Sequence, residues 1–321
     1  VKTKSELERQ VSCTVQGLST ESIPVLAYLA RRFTYHNAGK WQQEISIGRI
    51  LVNGRRISGS EMLRSGDLIE YLCHDLPEPE ADCSYKIIFQ DKDLLIVDKP
   101  ASLPCHPHGR YFKNTLWYVL KKELGNPSFS FVNRIDRETS GLILLATNRL
   151  SADNCQKQFK EKKVYKRYLA LVWGCFPMQL TAKGYLAADT LSSIRHKNRF
   201  IDQKSDQAPE SAKKVHTHFQ LLKKFDEFSL IEAIPFTGRR HQIRATLAAL
   251  NHHVVGDKIY NRDDTLFARF AGGRLTEEDH RKLGHLRQAL HAADLSFDHP
   301  RSGRRMHFTS PLPPDLLKLL P

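Results

Sequence analysis

A charged turn that runs directly into an unbroken apolar segment constrains this chain more than any other feature. Val132-Asn-Arg-Ile-Asp-Arg-Glu-Thr-Ser-Gly141 is followed at once by Leu142-Ile-Leu-Leu-Ala146. The apolar run predicts a buried strand, which places Asp136 on a loop at its mouth. A carboxylate between Arg134 and Arg137 stays ionised, because nearby cations favour the charged form. Such a group can serve as a nucleophile or a base. It can equally do no more than bond the backbone of its own turn, as Asp often does ahead of Thr-Ser-Gly.

The remaining elements arrange themselves around an interruption. Asp75-Leu-Pro-Glu-Pro-Glu-Ala-Asp82 has no apolar period and reads as a linker. It divides the chain into residues 1–75, a connection over 76–84, and residues 85–321. In the first part, Ile23, Leu26, Ala27 and Ala30 have helical spacing within 23–33, and a second helix is expected over Trp41 to Ile47. Ile50-Leu-Val-Asn-Gly-Arg-Arg-Ile57 predicts a hairpin, since Asn and Gly tolerate the positive φ of its turn. Ser65-Gly-Asp67 predicts a further turn before a strand over Leu68 to Leu72. In the second part, strands are expected over Lys86–Phe89, Leu94–Val97, Leu142–Ala146, Tyr168–Val172, Thr217–Leu222 and Ser229–Ala233. Ser151 is a candidate N-cap for a helix reaching Phe159. Arg195 to Lys214 lacks periodicity and reads as a mobile basic loop. Runs of strands with occasional helices give an α+β class.

Charge says what such a chain would meet. With 49 Lys+Arg against 35 Asp+Glu among 321 residues, the formal charge is +14, and 40% hydrophobic content suffices for buried cores. Residues 157–224 hold fifteen of the cations against five acids. Arg31, Arg32, Lys40, Arg49, Arg55 and Arg56 form a second cluster opposed only by Glu44. Both suggest a phosphate backbone as partner, although a basic face can also be merely solvated. Cysteines at 13, 73, 83, 105, 155 and 175 form no C-x-x-C pair, so neither a zinc knuckle nor a disulfide framework has its spacing. No apolar run approaches a membrane span, and a cytoplasmic location is expected. No Cys or acidic pair accompanies the histidines at 106, 108, 252 and 253 at ligand spacing, so no metal is expected. A glycosidase built on Asp136 and Glu138 lacks a second carboxylate motif across the substrate.

Two further segments carry chemical groups. Thr237-Gly-Arg-Arg-His-Gln-Ile-Arg244 opens a helix to about Leu250, with Thr237 as expected N-cap and Ile243, Leu247 and Leu250 as its buried stripe. Arg244 then lies beside the core and requires an anionic partner, for which a loop Asp is the economical choice. In Tyr165-Lys-Arg-Tyr-Leu-Ala-Leu-Val-Trp-Gly174, alternation sets Tyr168, Ala170 and Val172 on one face. Tyr168 is there either for packing or for chemistry.

The N-terminal helices and hairpin, with the phrases Gly48-Arg-Ile-Leu-Val-Asn-Gly54 and Arg64-Ser-Gly-Asp-Leu-Ile69, resemble the alpha-L RNA-binding module, a small α/β unit. From about Tyr85 onward the chain resembles the RluA-type pseudouridine synthases. The resemblance rests on Asp98-Lys-Pro-Ala-Ser-Leu-Pro-Cys-His-Pro107, on Asn133-Arg-Ile-Asp136 with Thr139-Ser-Gly141, and on Lys166-Arg-Tyr-Leu-Ala-Leu-Val-Trp-Gly174. Residues 237–244, Asn251-His-His-Val-Val-Gly-Asp257 with Tyr260, Leu290-His-Ala292 and Pro311-Leu-Pro313 complete it in order. Asn133 stands where that family usually has His, Ser102 where it has Gly, and Arg240 where it often has a small residue.

This resemblance implies an α+β catalytic fold with a mixed, mainly antiparallel sheet, and isomerisation of a uridine in structured RNA without a cofactor. It implies catalytic roles for Asp136, Tyr168 and Arg244. Tyr168 would lie against the uracil and assist proton removal, while Arg134 would help extrude the target nucleotide. Thr139, Arg239 and His241, with Arg31, Arg32, Arg55 and Arg56 in the N-terminal module, would contact RNA. Large-subunit ribosomal RNA is the first expected substrate and transfer RNA the second, with a monomer as the expected state. The alternative in a different class is a non-catalytic RNA-binding or ribosome-assembly factor on the same fold.

Overall fold

A computed structural model describes residues 10–16, 22–33, 36–72, 78–125, 127–194, 197–205, 208–261 and 263–320. The chain forms two compact units, Val1–Glu78 and Pro79–Pro321. Among the described residues, no helix is long and apolar enough to cross a membrane.

The first unit contains β1 (Gln10–Thr14), β2 (Ile23–Pro24), α1 (Val25–Arg32), α2 (Ala38–Ser46), β3 (Ile50–Val52), β4 (Arg55–Arg56), β5 (Met62–Leu63) and β6 (Leu68–Leu72). An antiparallel sheet in the order β1-β6-β3-β4 packs Ile50, Ile69 and Tyr71 against Val25, Leu29, Trp41 and Ile45 of the helices. Asn53 and Gly54 both adopt positive φ, 52° and 75°, as the predicted hairpin turn demands. The first helix departs from expectation. Ile23 and Pro24 pair with Leu63 and Met62, and the Val25 N–H donates to Glu61 O, so the helix starts two residues late. Val25 and Leu29 are its buried i, i+4 pair, whereas Ala27 is exposed. Glu44, also buried, takes Lys40 (2.9 Å), Arg49 (3.3 Å) and the Tyr71 hydroxyl (3.1 Å). Two cations of the basic cluster are thereby tied into the unit, while Arg31, Arg32, Arg55 and Arg56 stand exposed.

The second unit is built on one sheet of eleven strands. Its elements are β7 (Lys86–Gln90), β8 (Leu94–Lys99), α3 (Leu116–Glu123), β9 (Ser130–Phe131), β10 (Ser140–Ala146), α4 (Arg149–Lys160), β11 (Tyr165–Trp173), β12 (Gln179–Ala188) and β13 (Asn198–Asp202). They continue with β14 (Lys213–Lys224), β15 (Phe228–Pro235), α5 (Gln242–Ala249), α6 (Asp264–Ala271), α7 (Glu277–Leu283), β16 (Leu290–Asp298), β17 (Arg305–Thr309) and α8 (Pro314–Leu317). The order is β13-β12-β14-β15-β11-β16-β10-β8-β7, with β17 beside β16 and β9 beside β10. Among the described pairings only β10 with β16 is parallel, so the sheet is mixed and mainly antiparallel. Ala81 and Cys83, at the end of the stretch that reads as a linker, pack with Tyr85 on the same cluster as Leu103, Leu116 and Ile143.

Four local expectations are corrected. Asn148, not Ser151, caps α4, its side chain accepting from Ser151 N, while the Ser151 hydroxyl donates to buried Asp93. The basic stretch expected as a loop contains strand among its described residues, with 195, 196, 206 and 207 lying outside them: β13 pairs with β12 from Gly184 to Ala188, and Lys213 already belongs to β14. An edge strand with one partner needs no strong alternation, which is why its sequence looks aperiodic. Thr237 does not cap α5. The helix starts at Gln242 after His241 in the left-handed region (φ 57°), and the Thr237 hydroxyl donates to the Gln242 side chain (2.8 Å). Nor has α5 a single buried stripe. Gln242 to Leu247 are all buried, since Ile243 and Leu247 join the cluster of Phe219 and Ile231 while Ala245 joins that of Leu186, Val215 and Tyr260.

Candidate active site

The Asp136 loop connects β9 to β10, and the start of β10 fixes where it lies. Ser140 and Gly141 pair with His291 and Ala292. At φ 111°, Gly141 comes so close to Ala292 that a Cβ would meet its carbonyl oxygen at 2.2 Å, so only glycine fits. Ala292 is also opposite Tyr168 across the β11–β16 pair, next to a register shift between Arg167 and Tyr168. One residue of β16 therefore has the root of the Asp136 loop on one side and Tyr168 on the other.

The loop is held from several directions. Fully buried Lys99 donates through Nζ to the Pro100 (2.7 Å) and Arg137 (3.1 Å) carbonyls, and burial pushes its amine down to about 8. Cys105 Sγ donates to Ile135 O at 3.3 Å. Asn133, in the position of the family's His, accepts the Leu144 N–H at 2.7 Å and so serves the β9–β10 connection. Ser102 adopts φ 68°, a conformation that explains glycine as the usual residue there.

At the centre, Arg244 Nη1 donates to Asp136 Oδ2 at 2.7 Å. Asp136 is 27% exposed and Arg244 only 5%. Burial alone would raise the Asp136 carboxyl, but Arg244 and then His241 outweigh it and hold the group below the usual carboxylate range. The expected partnership is therefore present, although the other face of the same guanidinium is engaged more extensively: Arg244 Nε and Nη2 donate to Asp257 Oδ2 (2.6 Å) and Oδ1 (2.8 Å). The Tyr260 ring lies 5.0 Å from the guanidinium carbon, and its hydroxyl contacts His241 Nδ1 at 3.1 Å. His241 Nε2 is 3.8 Å from Asp136 Oδ1. Burial first, and Arg244 second, push this imidazole down to about 4, so at neutral pH it is uncharged. The Tyr168 phenol is pushed well above its ordinary value by burial and then by the charge of Asp136, so it remains protonated at neutral pH.

The other expected site residues separate into two groups. Arg134, Arg239 and Arg240 are exposed on the segments that carry Asp136 and α5. Thr139 is not available to RNA: it is buried, its hydroxyl accepts from Gln288 Nε2 at 2.5 Å, and its N–H donates to Asp136 O. It braces the loop. Sequence reasoning missed Gln288, which also reaches Asp136 Oδ2 at 3.4 Å, and nothing local marks it. It also passed over Asp257 as the chief partner of Arg244, although that residue ends the Asn251-His-His-Val-Val-Gly-Asp257 motif. Among the described residues, one group of three potential metal ligands converges, Asp91, Asp93 and His299. Arg301 takes Asp93 at 2.6 and 2.7 Å and His299 takes Asp91 at 2.9 Å, an ion-pair network complete in itself.

Comparison with known proteins agrees with this geometry. Residues 93–249 match the family model described as RNA pseudouridylate synthase. The ribosomal large subunit pseudouridine synthase C of Buchnera aphidicola subsp. Acyrthosiphon pisum is 31% identical, over 86% of each chain. The mitochondrial tRNA pseudouridine(32) synthase of Saccharomyces cerevisiae is 33% identical, over 70% of this chain and 47% of its own. Among solved structures, human RNA pseudouridylate synthase domain containing 1 superposes with a TM-score of 0.58 and 25% identity, covering 76% of this chain and 90% of that one. The chain belongs to the RluA-type family of RNA pseudouridine synthases. It is an isomerase acting on structured RNA.

Proposed function

We propose that Asp136 starts the reaction and that large-subunit ribosomal RNA is the substrate. The observation that carries the first part is the Arg244–Asp136 contact: a partly open carboxylate kept ionised by a buried cation. In the isomerisation the C1′–N1 bond of uridine breaks, a C1′–C5 bond forms, N1 gains a proton and the C5 proton is lost. An ionised Asp136 can attack C1′, or it can remove a ribose proton to give a glycal. Arg244 holds it charged in either route. Tyr168, two strands away, lies against the base and passes the C5 proton onward. Arg134, exposed on the same loop, takes the place of the nucleotide that is flipped out. Arg239 and His241, at the start of α5, contact the RNA chain.

The substrate assignment draws support from the relative named for the large ribosomal subunit, which aligns over 86% of both chains, whereas the relative named for tRNA aligns over less than half of its own length. RNA labelled with tritium at uridine C5 tests it, since every turnover releases the label to water. Release is expected from large-subunit ribosomal RNA fragments and not from a pool of transfer RNAs. Release from transfer RNA alone would reverse the assignment.

The N-terminal unit, read as an alpha-L module, supplies affinity through Arg31, Arg32, Arg55 and Arg56. Each phosphate contact releases counterions. Replacing all four by Gln is expected to weaken RNA binding and to reduce the slope of log affinity against log salt by roughly 3. Chemistry on excess substrate should survive. An unchanged slope would show these to be ordinary solvated charges.

A further inference from the structure

Arg244 has one guanidinium and two carboxylates, and the division between them is unequal. Asp257 receives Nε and Nη2 together, and Asp136 receives a single N–H from Nη1. Asp257 is itself immobile: it is 1% exposed, and its Oδ1 also accepts the N–H groups of Ile259 and Tyr260, both at 2.9 Å. The turn that delivers it depends on Gly256 at φ 75°, where a Cβ would meet Arg287 O at 1.9 Å. Asp257 thus has four donors on two oxygens and no freedom to follow Asp136. A guanidinium facing a single flexible carboxylate forms the two-bond fork with it. Here that fork is already filled.

We propose that Asp257 is a positioning residue of the isomerase, which fixes the Arg244 fork so that Asp136 meets only one of the guanidinium's N–H groups and keeps the rest of its charge for the ribose. The inference rests on the reading of Asp136 as the group that begins the reaction. Without Asp257, the full charge and fork of Arg244 become available to Asp136, a tighter pair whose oxygens are turned away from C1′. In Asp257→Asn the amide oxygen takes the place of Oδ1 with its three donors, and the amide NH2 then faces Arg244 Nε–H, donor against donor. The guanidinium has to turn.

Single-turnover conversion by saturating enzyme, which does not depend on the folded fraction, tests the proposal in the full-length parent, Asp257→Asn, Arg244→Lys and the double variant. RNA affinity and thermal midpoint are measured on the same preparations. Asp257→Asn is expected to slow the saturated rate roughly 10- to 100-fold, the scale of an ångström-sized misplacement, with RNA affinity close to that of the parent. In the Arg244→Lys background, where no fork exists to be aimed, the same change should cost little more, a non-additivity that marks residues acting through one another. If Asp257 matters only for packing, the midpoint falls while the saturated rate stays at the parent value, and the proposal is overturned; equal losses in both backgrounds overturn it too. Should Asp257→Asn not fold, Asp257→Glu replaces it, because the longer arm keeps the charge but displaces the fork, and the same slowing is expected. A parent that forms no pseudouridine in any RNA removes the role of Asp136 as well, and is thereby distinguished from an active parent matched by its Asp257 variant.

Discussion

Asp136→Asn is expected to lower pseudouridine formation by at least about 10⁴-fold, the scale on which loss of a nucleophile removes turnover, while RNA affinity stays within a few-fold of the parent. The substitution is nearly isosteric, and the arrangement around Arg244 makes it tolerable to the fold. Removing one partner of a buried ion pair is usually costly because it leaves a charge uncompensated. Here Asp257 retains Arg244 through two hydrogen bonds, and the Asn oxygen can still accept from Nη1. The thermal midpoint should therefore move little, and lost activity can be attributed to lost chemistry. Affinity is preserved because the exposed cations, Arg134, Arg239 and Arg240 among them, are untouched. Tritium release and fluorescence anisotropy on the same RNA make the measurement, and turnover near the parent rate would remove Asp136 from the mechanism.

The second large effect is expected at Tyr168, where Phe keeps the ring and deletes the proton-handling group. General acid–base catalysis contributes typically ~10²–10⁴-fold, and Tyr168→Phe should lose about that factor in single-turnover rate. Its hydroxyl makes no hydrogen bond to another described residue, so no polar group is orphaned and the variant should fold normally. The direction of the phenol's shift sharpens the assignment. Burial and the nearby Asp136 carboxylate favour the protonated form, so Tyr168 cannot act as a standing phenolate base. In the proposed role a protonated Tyr168 would accept the C5 proton only while giving up its own, as a relay. Tyr168→Leu should lose affinity in addition, because stacking on an aromatic face is worth ~1–3 kcal/mol per base. A Phe variant at the parent rate would make Tyr168 a packing or stacking residue.

The features legible in the chain alone are local or carried by ordered motifs. The Asn53-Gly54 turn follows from two residues that tolerate positive φ. The strand from Leu142 to Ala146 follows from an apolar run too continuous to face water. The family follows from several phrases in one order, and with it the pairing of Asp136 with Arg244, 108 residues apart. Whatever depends on which segments come to lie side by side is set by the packed fold. Asp257, only thirteen residues from Arg244, becomes its main partner because the Gly256 turn and two backbone N–H groups aim its carboxylate, and no periodicity encodes that aim. Thr139 turns inward because Gln288, from a distant segment, meets its hydroxyl; the same segment brings an amide to Asp136. The helix carrying Arg244 is buried nearly all round because β13, β12 and the turn at Tyr260 close over the side that its own pattern leaves polar. A short sequence sets backbone conformation through sterics and burial through periodicity, but which of two carboxylates takes the fork of a buried arginine is set by the sheet that delivers them.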